Sequence, residues 1–224
     1  MEYFVTGIDT NAGKTVVSAA LCHVLGADYW KPVQSGDLDN TDSMKVKALA
    51  PEDTHLFPER YQLTRPMSPH ASAALDGIKI ELSQLQLPSN ARPLIVEGAG
   101  GIMVPLNEDQ TILDLLLVWN IPTIVVTRNY LGSINHTLLS LEVLQQRGVP
   151  VAGIIVNGEG NRTSEAAIER MSGIPVLCRI PTLETLDRWT LATVATEIRS
   201  GFLAALEDTY PLRQAIEQRV RLVC

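Results

Sequence analysis

The chain has 224 residues, 46% of them apolar and 19% charged, which is enough for one sizeable core and argues against extended disorder. A net charge of −7 and a pI near 5.1 disfavour nucleic acid or an anionic membrane surface as the main partner, because both need clustered cations. The cysteines, Cys22, Cys178 and Cys224, form no CxxC pair, so neither a zinc site nor a disulfide framework is expected, and a reducing cytoplasm fits.

Met1 to Val5 lead into an apolar strand without a charged leader or cleavage site, so no secretory signal is expected. Short apolar, β-branched runs predict buried strands at Tyr3 to Gly7, Leu94 to Gly98, Thr123 to Thr127, Val151 to Asn157 and Pro175 to Ile180, with one further short strand just before Lys31. Helical patterns occupy Thr15 to Leu25, Ile112 to Trp119, Asn135 to Arg147 and Ser164 to Met171, and another helix is expected to begin near Leu183 or Leu191. The longest apolar run, Ile112 to Val118, is interrupted by Asp114 and is too short for a membrane span. Pro51 to Pro93 reads as irregular structure around one or two short helices, a lid or an insertion. Tyr210 to Cys224 is amphipathic and of mixed charge. Alternation of strand and helix predicts a single α/β domain over residues 1–224, a three-layer fold with a mostly parallel sheet and helices on both faces. Ligands of such sheets bind beyond the carboxyl ends of the strands.

Gly7-Ile8-Asp9-Thr10-Asn11-Ala12-Gly13-Lys14-Thr15 follows the first strand and opens the first helix, the context of a P-loop NTPase-type phosphate loop. Its backbone N–H groups and the helix start would cradle phosphates, Lys14 would neutralise the terminal ones, and Thr15 would ligate magnesium. Five residues separate the two glycines, one more than usual, and the plainer alternative is that Gly7 ends a strand and Gly13 caps a turn. Asp9 stands where the related partitioning ATPases resemble one another in a second lysine. Asn157-Gly158-Glu159 departs from the Asn-Lys-x-Asp run of GTPases, which favours adenine over guanine.

Joined to Trp30-Lys31-Pro32-Val33-Gln34-Ser35-Gly36, Asn40-Thr41-Asp42, Ser68-Pro69-His70, Val96-Glu97-Gly98-Ala99-Gly100-Gly101 and Leu131-Gly132-Ser133-Ile134-Asn135-His136, the loop resembles the dethiobiotin synthetases in order and spacing from Tyr3 to about Asn157. The resemblance implies ATP- and Mg2+-dependent closure of a cyclic urea on 7,8-diaminononanoate with CO2, through a carbamate and its mixed anhydride with phosphate, in a homodimer. It implies Lys14 and Lys31 as catalytic residues. Nucleotide contacts would come from Asn11, Ala12, Gly13, Lys14, Thr15, Val16, Asp42, Glu97, Gly98, Ala99, Gly100, Asn157 and Gly158. Substrate contacts would come from Thr10, Ser35, Ser68, Pro69, Gly132, Ser133 and Asn135, the last three across a dimer interface. Thr15, Asp42 and Glu97 would hold the magnesium.

Each assignment has a plainer counterpart. Lys31 could be a solvated lysine, Ser35 a turn residue, Glu97 an exposed acid, and Asp42 one of three loop acids with Asp37 and Asp39. Gly98 to Gly101 could be only a flexible connection, and Asn135 the N-cap of its helix. Pro181 to Glu184 match the family's second nucleotide loop thinly, and Asn11-Ala12 replace an acidic and a branched residue expected in many relatives. The competing functions are an ATPase switch or scaffold and a small-molecule kinase.

Overall fold

The computed structural model describes residues 1–209, so the amphipathic Tyr210 to Cys224 stretch lies outside the described residues. Seven strands, β1 (Glu2–Gly7), β2 (Asp28–Trp30), β4 (Leu56–Phe57), β6 (Leu94–Glu97), β7 (Thr123–Thr127), β8 (Val151–Asn157) and β9 (Val176–Ile180), form one sheet in the order β4-β2-β6-β1-β7-β8-β9. Every neighbouring pair in it is parallel. A second, two-stranded parallel sheet joins β3 (Val33–Ser35) to β5 (Tyr61–Leu63). The helices are α1 (Lys14–Leu25), α2 (Asp42–Leu49), α3 (Pro69–Leu75), α4 (Ile112–Trp119), α5 (Ser133–Gln146), α6 (Arg162–Ser172) and α7 (Arg188–Thr209).

Parallel strands covered on both sides need apolar residues at every position, and the strand runs supply them. Along β1, Tyr3 and Val5 enter a core with α1, α2 and α7, whereas Phe4 enters a second core with α3, α4 and α5. These two cores are the two faces of the sheet, and the three-layer architecture expected from the sequence is what forms. Two helix starts show how local chemistry sets the boundaries. Thr111 and Asp114 make a reciprocal capping box at α4, and the Asn161 side chain accepts from Ser164 N at α6, each satisfying donors that a helix start leaves unpaired.

The expectation for residues 51–93 needs correction. This stretch holds α3 and a single 3-10 turn (Leu82–Gln84), but also β4, the edge strand of the main sheet, and β5. It is therefore built into the fold and is not an appended insertion. No helix among the described residues is long and apolar enough to cross a membrane.

Candidate active site

A side-chain period of two sorts each strand between the two cores. Tyr29 of β2 and Ile95 of β6 belong to the α1 face, and Trp30 and Val96 to the other. Two residues on, Lys31 and Glu97 follow Tyr29 and Ile95 onto the face where α1 begins. Their contacts agree. Thr15 Oγ1, in the first turn of α1, donates to Glu97 Oε1 at 3.0 Å, and Lys31 Nζ donates to the same oxygen at 3.2 Å. Tyr29 OH donates to Glu97 Oε2 at 3.0 Å. Lys31 also reaches the Gly98 carbonyl at 3.0 Å and Asp42 Oδ2 at 2.8 Å.

Lys31 is 3% exposed and Glu97 1%, so neither the solvated-lysine nor the exposed-acid alternative holds. Charges this deep persist only when paired and hydrogen-bonded. Burial opposes the Lys31 charge, but Glu97 and then Asp42 outweigh it and hold its pKa above the usual lysine value. For Asp42, burial is outweighed by Lys31, whose charge and hydrogen bond keep the carboxyl below its usual range. The buried Tyr29 phenol is pushed well above the ordinary tyrosine value by desolvation and by Glu97, so it remains a donor.

Asp42 is the first residue of α2 and not a loop acid. Thr41 caps that helix, its side chain accepting from Met44 N at 3.2 Å, and Gln34 Oε1 accepts from Asp42 N, also at 3.2 Å. Gln34 Nε2 donates to Gly36 O at 2.9 Å, which ties the end of β3 to the start of α2. Lys45, one turn on, stands 3.5 Å from Asp42 Oδ1.

Between β1 and α1 the loop curls over its own lysine. Lys14 Nζ donates to the carbonyls of Asp9 and Thr10 at 3.1 and 3.3 Å. Its pKa is lowered to about 8, first by burial and then by Lys31, against the opposing pull of Glu97, Asp42 and Asp9. Gly13 has φ +90°, and a Cβ there would stand 1.9 Å from Asn157 Nδ2, so the position requires glycine on both counts. Asn157 in turn donates to the Ala12 carbonyl at 3.1 Å.

These groups line a cleft of about 630 Å3, a size suited to a nucleotide tail and a small substrate. Thr10, Asn11, Gly13, Lys14, Thr15 and Lys31 line it, with Asp42, Glu97, Ala99 and Gly100, and Ser35, Ser68 and Pro69 line it too. Ser35 Oγ is buried without a hydrogen-bond partner, so it is an orphan polar atom in a ligand-sized space. Ala12, within the loop, is wholly buried against the core, and Val16 is half-buried on α1. Gly98 packs against the Phe4 ring, where a Cβ would come within 2.6 Å of Cζ; close packing, and not only flexibility, accounts for that glycine. Asn157 and Gly158 sit at the end of β8, two strands across from β1, beside Ile180 and Thr182.

Gly132, Ser133 and Asn135 do not join this cleft. Gly132 is the N-cap of α5 at φ +105°, Ser133 is buried within the first turn, and Asn135 is exposed on the helix surface. The helix begins two residues before Asn135, so the N-cap alternative for that residue is wrong. Asn135 instead borders a groove between α5 and α6, with Leu139 and Met171, both exposed.

A family profile described as an AAA domain matches residues 1–190. The chain is 47% identical over 199 residues to the ATP-dependent dethiobiotin synthetase BioD of Christiangramia forsetii, covering 88% of this chain and 96% of that relative. It is 49% identical over 184 residues to the enzyme of the same name from Brucella ovis, covering 82% and 87%. The chain belongs to the dethiobiotin synthetase family. Solved structures with the same fold include the septum site-determining protein MinD from Pyrococcus horikoshii, complexed with Mg-ADP, at TM-score 0.57, 14% identity and coverage of 95% and 98%. A ParA family ATPase from Chlorobium tepidum is similar at TM-score 0.52 and 13% identity, covering 93% of this chain and 95% of that one.

For a member of the dethiobiotin synthetases the donor set around Lys31 fits magnesium. Thr15 Oγ1, Asp42 and Glu97 are hard oxygens gathered beside Lys31 at the cleft; they would hold the ion next to nucleotide phosphates, where it would supply charge neutralisation. No cluster of three or more His, Cys, Asp or Glu side chains suited to a metal occurs among the described residues. A site of two acids and a hydroxyl suits a metal that arrives with its nucleotide. Sequence reasoning missed Tyr29, Gln34, Lys45, Pro66 and Met67. The alternation that pairs Tyr29 with Lys31 could have found the first; Gln34 lies on a three-residue strand and Pro66 and Met67 on a loop, none with a period to read, and Lys45 lies on α2, a short helix not expected from the sequence.

Proposed function

We propose that this enzyme carboxylates 7,8-diaminononanoate and closes it to dethiobiotin, consuming ATP and CO2 and releasing ADP and phosphate. What carries the reading is the buried Lys31 ammonium, held charged between Glu97 and Asp42 at the mouth of the phosphate loop. One amine of the substrate captures CO2 to form a carbamate. A carbamate oxygen then takes the γ-phosphoryl group as the bond to ADP breaks. The second amine attacks the carbamoyl carbon, the urea ring closes, and phosphate leaves. Chemistry of this kind needs charge placed where anions gather more than it needs a protein nucleophile.

Lys31 would exchange part of its ion pairing for the carbamate and the transferring phosphoryl group. Lys14 would leave the Asp9 and Thr10 carbonyls for the β- and γ-phosphates. The orphan Ser35 hydroxyl would take up a substrate hydrogen bond, with Thr10, Ser68 and Pro69 shaping the wall around it. Magnesium, held by Thr15, Asp42 and Glu97, would supply charge neutralisation of the phosphates. Asn157 and Gly158, on the β8 side of the loop, are where adenine would lie. Gly132, Ser133 and Asn135 would serve the substrate of a second copy, whose docking would cover Leu131, Leu139 and Met171, all exposed here. We place the enzyme in a reducing cytoplasm, which fits the free Cys22 and Cys178.

Purified protein given diaminononanoate, bicarbonate, ATP and magnesium should yield dethiobiotin by mass spectrometry, and none without bicarbonate or with Lys14→Ala. Tight ATP binding with no product would sink the ligase reading in favour of a switch. A phosphorylated product formed without bicarbonate would favour a kinase.

A further inference from the structure

Glu97 is held by two kinds of neighbour. Oε1 is shared by Thr15 and Lys31, both at the cleft, whereas Oε2 takes a hydrogen bond from Tyr29, which is fully buried in the α1-face core. The register explains the contact. Tyr29 lies beside Ile95 on the adjacent strand, and Glu97 is two residues further on, about 7 Å along β6. A long side chain with a terminal donor spans that step; an aliphatic one at position 29 would leave Oε2 buried and unpaired.

We infer that Tyr29 is a positioning residue for the metal site: by anchoring Oε2 to the core it fixes the Glu97 carboxylate with Oε1 turned to Thr15 and the cleft. The inference rests on the magnesium assignment in the proposed function. Without the phenol, the carboxylate loses its one anchor away from the cleft. It can then turn both oxygens toward Lys31, which draws charge from the metal and loosens the geometry shared with Thr15. Removal of a partner that orients a metal ligand lowers metal affinity by about 10- to 100-fold.

The test is Tyr29→Phe, which deletes one oxygen and keeps the ring. Mn2+ titrations followed by electron paramagnetic resonance, with saturating ADP, should show Mn2+ bound about tenfold more weakly than by the unaltered enzyme. ADP binding without metal should be unchanged, and the Mg2+ concentration for half-maximal turnover should rise while kcat recovers at high Mg2+. A merely structural tyrosine would lower thermal stability and leave the metal dependence alone. In a Glu97→Gln background, Tyr29→Phe should add little further loss, since its effect passes through that carboxylate. Equal Mn2+ affinity in Tyr29→Phe and the unaltered protein overturns the inference while leaving the proposed function standing. Failure of the unaltered protein to bind Mn2+ with ADP overturns the magnesium assignment itself. Should Tyr29→Phe not fold, 3-fluorotyrosine placed at position 29 alone provides the second measurement. Its 19F resonance should move when Mg2+ is added to the ADP complex, and a stationary resonance overturns the inference.

Discussion

The two regions assigned to substrate contrast sharply. Around Lys31 the charges of Lys31, Asp42 and Glu97 are partnered within the same chain, down to a tyrosine that serves one oxygen of Glu97. At the start of α5, Asn135 points outward beside exposed Leu139 and Met171. The first region is finished when the chain folds; the second has the residue types of a site without the enclosure. The charge proposed to be catalytic is thus secured by the interior of one protomer, and the proposed second copy would bring recognition.

Lys31→Met should break the first region most severely. It leaves Glu97 and Asp42 together without the cation, at a cost of about 3 kcal/mol in urea unfolding and a drop in dethiobiotin formation of about 10³-fold. A variant as stable as the original would show that the ion cluster is not the anchor described. Asn135→Ala sharpens the contrast from the other side. Being exposed, it should leave the melting temperature and ADP binding untouched and raise KM for diaminononanoate by about tenfold, an effect expected of a lost substrate hydrogen bond. An unchanged KM would remove α5 from the site.

Lys14 gives the cleft a pH signature. Its pKa is about 8 in the folded protein against 10.5 for an ordinary lysine, so between those values the unfolded chain binds more protons and folding stability rises with pH. Phosphate favours the charged lysine, so ADP binding should take up a proton in that window and weaken above pH 8 by up to about tenfold per unit. Calorimetry in buffers of different ionisation enthalpy reads the uptake directly; none at pH 9 would contradict the buried, desolvated lysine. The smallest effect belongs to a residue remote from both regions. Thr111→Ala, which removes the capping box of α4, should cost about 1 kcal/mol in stability with kcat and KM unchanged.

The parts legible in the sequence were those encoded by contiguous residues. The loop from Gly7 to Thr15 and the long strands β7 and β8 needed only local pattern, and α4 ran from Ile112 to Trp119 as its periodicity predicts. Glu97 could be placed because it ends an apolar run. Asp42 was less legible because Asp37 and Asp39 flank it; the deciding feature is Thr41, whose side chain caps the helix that Asp42 opens. β4 and β5, two and three residues long, have no period to read and form only because the sheets supply partners. The contacts of Tyr29 and Gln34 depend on strand register and loop closure, which follow from tertiary structure alone.

The place of β1 in the sheet also sets an order of events during synthesis. The strand that launches the phosphate loop emerges well before its two neighbours in the sheet, β6, beginning at Leu94, and β7, beginning at Thr123. At roughly 5–20 residues per second, a ribosome leaves that strand without either edge partner for several seconds. No nascent fragment ending before Leu94 can assemble the acid cluster, because Glu97 has not yet been made. The cleft around Lys31 closes only when the middle of the chain arrives, and a message broken early yields peptides with the loop sequence but without the acid that Thr15 and Lys31 share.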